Sequence, residues 1–352
     1  MKKVTAIVTV MLLLCTLAMS SPVSAKGEPK STVIDVYEGQ DITDAVNSAK
    51  AGDVVFVHKG VYLGVSKTVG ANTLKQAIWI YGKTNITIIG EKGTILDGAN
   101  SALIGIRVTS SPIDNTATSG VTIAGFEIRN FVYGIYLIKA NNNQLDNNTI
   151  SNVQGGINLI ASNDNDILKN TLSNTVQPCI AIGNSATGNL SNGNVVEKND
   201  IDSNSIGISI WGNDNQVLQN NVNTLYDSIG LGADAVNNIY STNNLIKQNQ
   251  ITSIGDINSA INLNGSHSNI VIQNEIKNSH IGISLLAGAS DNKIFKNTIR
   301  KSAWWGIAVI AGASGNRIEQ NKVSGSGYFD LFSSAPPNDN IWVKNDYKTR
   351  NW

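Results

Sequence analysis

The chain is poor in cysteine, proline, aromatic residues and charge. Its 352 residues include two Cys and six Pro, and 15% of them are charged and 6% aromatic. So few cysteines, one of them in the N-terminal apolar run, exclude a disulfide framework and a Cys-rich zinc module. The 26 basic and 26 acidic side chains give a formal net charge of zero. A balanced chain without basic clusters argues against nucleic acid or an anionic membrane surface as the partner.

The N-terminal residues have the order of a secretory signal peptide. Two Lys precede an apolar run that ends at Met19, and a small-residue cleavage site ends at Ala25. We therefore expect residues 1–25 to be removed and residues 26–352 to be secreted, to an extracellular or periplasmic space. No later segment approaches the roughly 18 uninterrupted apolar residues of a membrane span, so stable membrane insertion after cleavage is not expected.

The residues in excess are Asn, with 47 copies, and Ile, with 44. Ordinary globular chains are instead led by Leu, Ala and Glu. From residue 143 onward the pattern Asn-x-apolar-x-x-Asn-x-apolar occurs nine times, and its copies begin at Asn143, Asn165, Asn194, Asn215, Asn244, Asn269, Asn292, Asn316 and Asn340. A second pattern, Gly-Ile-x-apolar, lies between copies and begins at Gly134, Gly156, Gly207, Gly282 and Gly306. Successive copies of the first pattern begin 21 to 29 residues apart, an interval that is typical of a solenoid.

The repeats predict short strands that stack into one core. Apolar residues alternate with polar ones, and Asn, Ser, Asp or Gly fill the corners. Stacking one turn of chain on the next would pair the strands in parallel about 4.8 Å apart and join the Ile side chains into continuous columns. The second Asn of each copy is expected at a tight corner, because Asn tolerates the left-handed conformation and its amide can bond its neighbours above and below.

These patterns predict an all-β fold made of one parallel solenoid with about ten to twelve coils. The single domain would span residues 26–352, with regular Asn-cornered repeats over 143–347. An amphipathic helix over residues 41–50, with Asp41 as its N-cap and Gly52 as its end, would cover the open N-terminal edge of the stack.

Over roughly residues 32–350 the chain resembles the right-handed parallel β-helix superfamily, the pectin-lyase-like fold. The resemblance implies that the Asn corner is the turn between the second and third sheets. It also implies that the Gly-Ile-x-apolar strands form the first sheet, whose outer face binds an extended glycan in many family enzymes. This fold includes lyases, hydrolases, epimerases, adhesins and maturation factors, so the fold alone does not give the function.

The outward positions of that first sheet are the candidate binding residues. By counting they are Arg107, Tyr136, Asn158, Ala181, Ser209, Trp211, Gly230, Asn262, Asn264 and Ser284. We expect Trp211, Tyr136, Tyr226, Asn262 and Asn264 to bind substrate. Trp211 suits a stacking platform for a sugar ring, and the alternative is a ring that covers the backbone of the next coil. Of Trp304 and Trp305, one ring is expected to pack and the other to contact ligand.

Acid or base candidates are few. They are Asp227, Asp234, Asp256, His267 and His280, and each has solvated surface polarity as its alternative interpretation. β-Elimination on a uronate needs a base and a cation that neutralises the carboxylate, a role open to Arg107 or to a calcium ion held by Asp227 or Asp234. No Lys or Arg falls on the central strands, and the Asp-Pro-His run of alginate epimerases and the paired Asp motifs of polygalacturonases are missing.

Two functions remain open from the sequence. The first is a secreted lyase that acts on a uronate-containing glycan by β-elimination, or an epimerase, with calcium as its only expected cofactor. The second is a non-catalytic carbohydrate-binding or periplasmic maturation protein, similar to the β-helix accessory factors of nitrous-oxide reductase. In both cases we expect a monomer that binds a polysaccharide and does not bind nucleic acid.

Overall fold

Three long sheets, here called A, B and C, are built from successive turns of the chain, and each regular turn adds one strand to each sheet. The computed structural model describes residues 31–352 except 70–71, 100, 185–186, 235, 254, 256–257, 311 and 337–338. The expected signal peptide therefore lies outside the described residues. No helix in the described part of the chain is long and apolar enough to cross a membrane.

The strands are as follows. Sheet A has 13 strands: Val33–Val36, Val54–Val57, Thr87–Gly90, Thr122–Ala124, Gln144–Asp146, Asp166–Leu168, Val195–Glu197, Gln216–Leu218, Leu245–Lys247, Ile270–Ile272, Lys293–Phe295, Arg317–Glu319 and Ile341–Val343. Sheet B has 11: Gly60–Leu63, Thr94–Asp97, Glu127–Arg129, Thr149–Val153, Thr171–Thr175, Asp200–Ser203, Asn221–Thr224, Gln250–Ser253, Glu275–Lys277, Thr298–Arg300 and Lys322–Ser324. Sheet C has 12: Val65–Val69, Asn72–Tyr81, Ile104–Thr109, Tyr133–Ile138, Gly155–Ile160, Ile180–Ile182, Ile208–Ile210, Ile229–Leu231, Ser259–Asn264, Ile281–Leu286, Trp305–Val309 and Phe329–Ser333.

Short two-stranded elements complete the architecture. Thr118–Ser119 pairs in parallel with Ala140–Asn141, and Ala233–Asp234 pairs antiparallel with Ile239–Tyr240. The first two strands of sheet C form an antiparallel hairpin, and every other pairing in the three sheets is parallel. The predicted all-β parallel solenoid is therefore confirmed.

The core is a set of aliphatic columns inside the coils. In sheet B, Ile150 pairs with Leu172 and Leu172 with Ile201, and all three are fully buried. Each column is continuous because the strands stack in register, so every coil buries the inward face of its neighbours. This arrangement explains the Ile excess, since a β-branched side chain packs well on a pleated, buried strand.

The repeat contains two asparagine ladders, whereas the sequence predicted one. In both columns the side-chain Nδ2 and the backbone N–H of one Asn donate to Oδ1 of the Asn in the next coil. For the predicted second Asn, Asn220 Nδ2 donates to Asn249 Oδ1 at 3.0 Å and Asn220 N at 2.9 Å. For the first, Asn215 Nδ2 donates to Asn244 Oδ1 at 3.1 Å. The two ladders flank sheet A, because its strands lie between the two Asn of each copy.

The left-handed corner residue is not the ladder Asn, which corrects the sequence prediction. Positive φ angles fall on the residue just before it, as at Lys169 (φ 53°) and Gln219 (φ 55°), while Asn170 and Asn220 are not among the positive-φ residues. The ladder Asn is thus selected for its buried amide, which bonds both the backbone and the next Asn. The corner itself accepts Lys and Gln, although such side chains pay about 1–2 kcal/mol in this conformation.

The glycine of Gly-Ile-x-apolar stands at the bend from sheet B into sheet C. A Cβ on Gly207 would lie 2.4 Å from the carbonyl oxygen of Ser228 in the next coil and 2.7 Å from Cγ1 of Val222. Gly282 has the same surroundings, with the carbonyl oxygen of Gly306 at 2.3 Å. The motif therefore marks a point where backbone and core approach too closely for a side chain.

The N-terminal helix spans Ile42–Ser48, and Asp41 caps it as expected by accepting the Thr43 N–H at 2.9 Å. It is shorter than the expected 41–50. Ala49 is its C-cap and donates to the carbonyls of Ala45 and Val46, so the predicted end at Gly52 is wrong. Gly52 instead adopts φ 91° in the turn that leads into the second strand of sheet A.

Candidate functional site

The predicted outward residues of sheet C form one row across the coils. Tyr136 is in register with Arg107 and with Asn158, and the row continues through Ala181, Ser209, Gly230, Asn262 and Ser284. We call these eight residues the outer row. Their neighbours along each strand, such as Ile135 and Ile157, are fully buried in the core. The predicted register thus holds over eight coils, although Asn158 and Ser284 are themselves buried within the row.

A cleft of about 220 Å³ lies over the outer row. Its lining includes Tyr136, Asn158, Trp211 and Gln177, together with Asn184, which follows Gly183 just after a strand of sheet C. Aromatic rings and side-chain amides are the groups that bind sugar rings and their hydroxyls. The cleft therefore joins predicted binding residues with partners that the sequence did not single out.

Arg107 lies one coil before Tyr136 in the outer row. Its guanidinium carbon lies 4.5 Å from the ring centroid of Trp79, and its Nε and Nη1 atoms are buried without a hydrogen-bond partner. Burial lowers the pKa of Arg107, against the opposing effect of Tyr136. Burial also raises the pKa of Tyr136, whose ring lies 4.9 Å from Tyr133. Trp79 and Tyr133 were missed from the sequence, because neither lies in a repeat copy.

Trp211 lies at the C-terminal side of the cleft and is half-buried. A Cβ built on Gly232, in the next coil, would lie 2.4 to 2.6 Å from the indole atoms, so the ring rests directly on the Gly232 backbone. The ring therefore covers the neighbouring coil, as one sequence interpretation expects, and the residue also lines the cleft, where its role as a stacking platform stays a prediction.

Asp227 is the carboxylate that the fold places at the outer row. Its Oδ1 accepts the Ser259 N–H at 2.9 Å, and its Oδ2 accepts Nδ2 of Asn262 at 2.8 Å. Ser284 Oγ donates to Asn262 Oδ1 at 3.2 Å, and Ser259 Oγ donates to Ser284 Oγ at 2.8 Å. The network closes on itself, so it holds the carboxylate and the Asn262 amide in fixed orientations.

Asp227 and Trp211 flank an open patch of floor. The nearest atoms to a Cβ built on Gly230 are Cβ and Oδ2 of Asp227, both 4.0 Å away. No protein atom beyond the adjacent residues lies closer than 4.0 Å to that Cβ position, Asp227 is beside it, and Trp211 rests on Gly232, two residues further along the chain. A ring-shaped ligand stacked on Trp211 would have a carboxyl group beside it.

Burial raises the pKa of Asp227, against the lowering effect of the bonds from Asn262 and Ser259. The fold thus favours the neutral acid, so this contribution to stability is fully present below the ordinary pKa of Asp and is lost as the pH rises from that value through the raised pKa. We expect Asp227→Asn to gain stability relative to the wild type as the pH rises through this range. Urea unfolding over a pH series measures the difference.

Asp234→Asn is the matched control, and its trend has the opposite sign. Bonds from Asn237 and the Val236 N–H lower the pKa of Asp234, so its ionised form stabilises the fold above the usual Asp pKa. The control should lose stability relative to the wild type as the pH rises. Parallel trends for the two variants would contradict the burial of Asp227.

Several predicted site residues lie away from the Gly230 floor. Asp234 uses both carboxylate oxygens inside its own hairpin turn, on Val236 and Asn237, which leaves it poorly suited to act as an acid or as a calcium ligand. His267 lies in the turn before sheet A, where Nδ1 contacts Ser290 Oγ at 2.9 Å and the ring packs on Tyr240 at 4.7 Å. The described contacts of His267 are therefore with Ser290 and Tyr240.

The remaining candidates lie along the edges of sheet C. His280 is buried in the turn before a sheet C strand, with its ring 4.7 Å from Trp304. Tyr226 is 49% exposed in the equivalent turn two coils earlier, and Asn264 is exposed at the end of its strand. Asp256 lies outside the described residues.

The fold is shared with solved carbohydrate-active and adhesive proteins. The catalytic unit of a GH87 alpha-1,3-glucanase from Streptomyces thermodiastaticus has TM-score 0.66 and 15% identity, over 94% of this chain and 72% of that one. The A-module of the Azotobacter vinelandii mannuronan C-5 epimerase AlgE4 has TM-score 0.66 and 13% identity, over 87% and 89%. The Streptococcus pneumoniae surface adhesin PfbA has TM-score 0.59 and 12% identity, over 84% and 89%. At such identities the likeness shows the fold alone.

Sequence comparison gives two family matches. The model for a right handed beta helix region matches residues 193–346, which agrees with the stacked coils described above. The model described as periplasmic copper-binding protein (NosD) matches residues 46–230. No curated protein is significantly similar to the chain in sequence.

The described residues include few of the side chains that bind copper in proteins. Copper prefers imidazole, thiolate and thioether ligands. His58 contacts Asp35, the other two His lie in different turns, and Cys179 is fully buried. Within the described residues, no group of three or more His, Cys, Asp or Glu side chains could hold a metal ion. The described donors do not fit a copper centre.

Membership of the family is a separate question from copper binding. The matched segment spans more than half of the sequence and contains the end of the N-terminal helix, the cleft, Asp227 and Gly230. The match also runs through strands of all three sheets, so it follows the architecture and is not confined to one motif. On this evidence the chain belongs to the family described as periplasmic copper-binding protein (NosD).

Proposed function

We propose that the protein is exported and binds an extended glycan along the outer face of sheet C without cleaving it. The observation that carries the proposal is the open Gly230 floor between Trp211 and Asp227. An aromatic ring provides the stacking surface, and the fixed carboxyl and Asn262 amide provide hydrogen bonds to hydroxyls. The lining of the neighbouring cleft extends the surface along the coils.

Binding is favoured over catalysis by what surrounds Asp227. Hydrolysis of a glycoside by the usual route needs two carboxyl groups about 5–9.5 Å apart, and Asp227 is the one acidic side chain that the described structure shows at the Gly230 floor. Elimination from a uronate needs a nearby cation. Arg107 lies five coils away from Gly230, which at about 4.8 Å per coil is roughly 24 Å.

The solved relatives support a glycan-binding surface. They are a glucanase, a mannuronan epimerase and a surface adhesin, so this architecture serves both carbohydrate chemistry and attachment. The signal-like N-terminus and the periplasmic family description support export. The expected calcium ion and the monomeric state stay predictions, tested by calorimetry with calcium and by light scattering.

A lyase acting on a uronate-containing glycan is the second candidate. The raised pKa of Asp227 favours it, because a carboxyl group with such a pKa can transfer protons nearer neutral pH. Incubation with pectate, alginate and glycosaminoglycans in the presence of calcium, followed by the absorbance of unsaturated products, tests it. A rise that Asp227→Asn abolishes would establish the lyase and overturn the non-catalytic proposal.

Trp211→Ala tests the binding site itself. We expect it to weaken glycan binding about tenfold, or about 1.4 kcal/mol, because the stacking surface is lost. Trp342→Ala, on the last strand of sheet A, should leave binding unchanged. Affinity electrophoresis in gels containing neutral or acidic polysaccharides measures both. Equal retardation of Trp211→Ala and the wild type would remove Trp211 from the site.

A further inference from the structure

A second group of aromatic residues lies along the edge of sheet C, in the turns that enter it from sheet B. Tyr226, Trp304 and Tyr328 are 49%, 42% and 64% exposed, respectively. Trp304 N–H donates to the carbonyl of His280, and Tyr328 N–H donates to the carbonyl of Trp304, so successive coils place these residues one above another. We call His280, Trp304 and Tyr328 the edge row, and Tyr226 lies on the same edge two coils before His280.

The rings of His280, Trp304 and Tyr328 contact one another, and the Trp304 and Tyr328 side chains are exposed while His280 is buried. The Trp304 centroid lies 4.7 Å from His280 and 5.8 Å from Tyr328. The neighbouring Trp305 behaves differently, because it stacks on Phe332 with centroids 4.1 Å apart and planes 7° apart. Trp305 therefore covers the last coil, whereas Trp304 presents an open surface. This is the division between a packing ring and an exposed ring that the sequence suggested.

The strands of sheet C carry almost no charge. From Tyr133–Ile138 to Phe329–Ser333 its strands contain no Lys or Arg, and their one acidic residue, Asp330, is buried. Asp330 accepts the backbone N–H groups of Lys348 and Ser326, so its charge is used inside the fold. A chain of uronates would bring one negative charge per sugar to strands that carry no cation, and Lys301, three residues before Trp304, is a cation in the turns beside them. Exposed aromatic rings beside uncharged strands suit the apolar faces of neutral sugar rings.

We propose that the edge row extends the glycan site toward the C-terminus and that the ligand is a neutral oligosaccharide long enough to reach it. The proposal rests on the proposed function and specifies its ligand. Four coils separate Gly230 from Phe332, through Asn262, Ser284 and Ala308. At about 4.8 Å per coil this adds roughly 19 Å of surface beyond the Gly230 floor. A disaccharide at the floor would not reach Trp304 or Tyr328.

The test compares ligand length with ligand charge. Isothermal calorimetry is run with neutral gluco- and manno-oligosaccharides from the disaccharide to the octasaccharide, and with oligogalacturonates of the same lengths. The wild type should bind a neutral series more tightly as length increases and should bind the galacturonates more weakly. Trp304→Ala combined with Tyr328→Ala should lose about tenfold in affinity for the longest neutral ligand and keep its affinity for the shortest. Tyr37→Ala, an exposed ring 4.2 Å from His58 at the other end of the chain, is the matched control.

The outcomes separate the two proposals. Failure of the wild type to bind any glycan would overturn the proposed function. Binding that Trp211→Ala weakens but the double variant leaves intact at every length would overturn the edge row alone. Tighter binding of galacturonates than of neutral ligands would overturn the neutral ligand. Circular dichroism checks that the variants are folded, and Tyr328→Ala alone, which changes the most exposed ring, serves if the double variant is unstable.

Discussion

Asn220→Leu is expected to lower the free energy of unfolding by about 3–5 kcal/mol, because it breaks an interior step of a buried ladder. Oδ1 of Asn220 accepts both the backbone N–H and Nδ2 of Asn199 at 2.9 Å, and its own Nδ2 donates to Asn249 and to the Val196 carbonyl. Leu fills a similar volume but offers neither donor nor acceptor. The Asn199 N–H would remain buried without its partner.

The adjacent Asn221 provides the matched control. Its side chain is exposed and donates to Asp200 Oδ1 across the surface of sheet B. Asn221→Leu should change the free energy of unfolding by no more than about 0.5 kcal/mol. Chemical denaturation of both variants makes the comparison. Equal losses would mean that Asn220 acts through its surroundings and that the ladder adds no stability.

Gly207→Ala is expected to cost about 3 kcal/mol or to prevent folding. The added methyl would lie 2.4 Å from a backbone oxygen, that of Ser228, which cannot move without breaking the strand pairing of the next coil. Gly230→Ala is the control in the same sheet, because its nearest neighbours would be atoms of Asp227 at 4.0 Å. It should lose no stability. Thermal unfolding of the two variants tests the pair, and similar melting temperatures would contradict the close approach at Gly207.

The sequence predicted the fold and the outer row because both depend on the repeat. Each Gly-Ile-x-apolar copy aligns with the next, so counting outward positions placed Tyr136, Asn158 and Asn262 in one register. The corner conformation was not predictable in the same way, since its residues are as different as Lys169 and Gln219 and carry no glycine signature. The ladder of the first Asn was not predicted, although this Asn belongs to the same pattern, because the sequence analysis assigned a tight corner only to the second Asn of each copy.

The candidate site was predictable only in part. Asp227 was found by residue type, but its environment depends on Asn262, 35 residues further along the chain. That contact follows from the length of the intervening loop, which no repeat pattern fixes. His267 and Asp234 were plausible by type as well, yet each side chain is committed to local contacts in its own turn. A repeat thus predicts where a strand residue points, and it predicts little about residues in the variable turns.

The central claim is that a glycan lies on the Gly230 floor between Trp211 and Asp227, and Gly230→Leu tests it most directly. A Cβ there meets nothing closer than 4.0 Å, and the rest of the Leu side chain would occupy the space proposed for a sugar ring. Calorimetric titration with the oligosaccharide that binds the wild type most tightly is the measurement. We predict that the variant keeps the melting temperature of the wild type and loses binding at least about tenfold, or about 1.4 kcal/mol. A folded Gly230→Leu variant that binds as tightly as the wild type would contradict the claim.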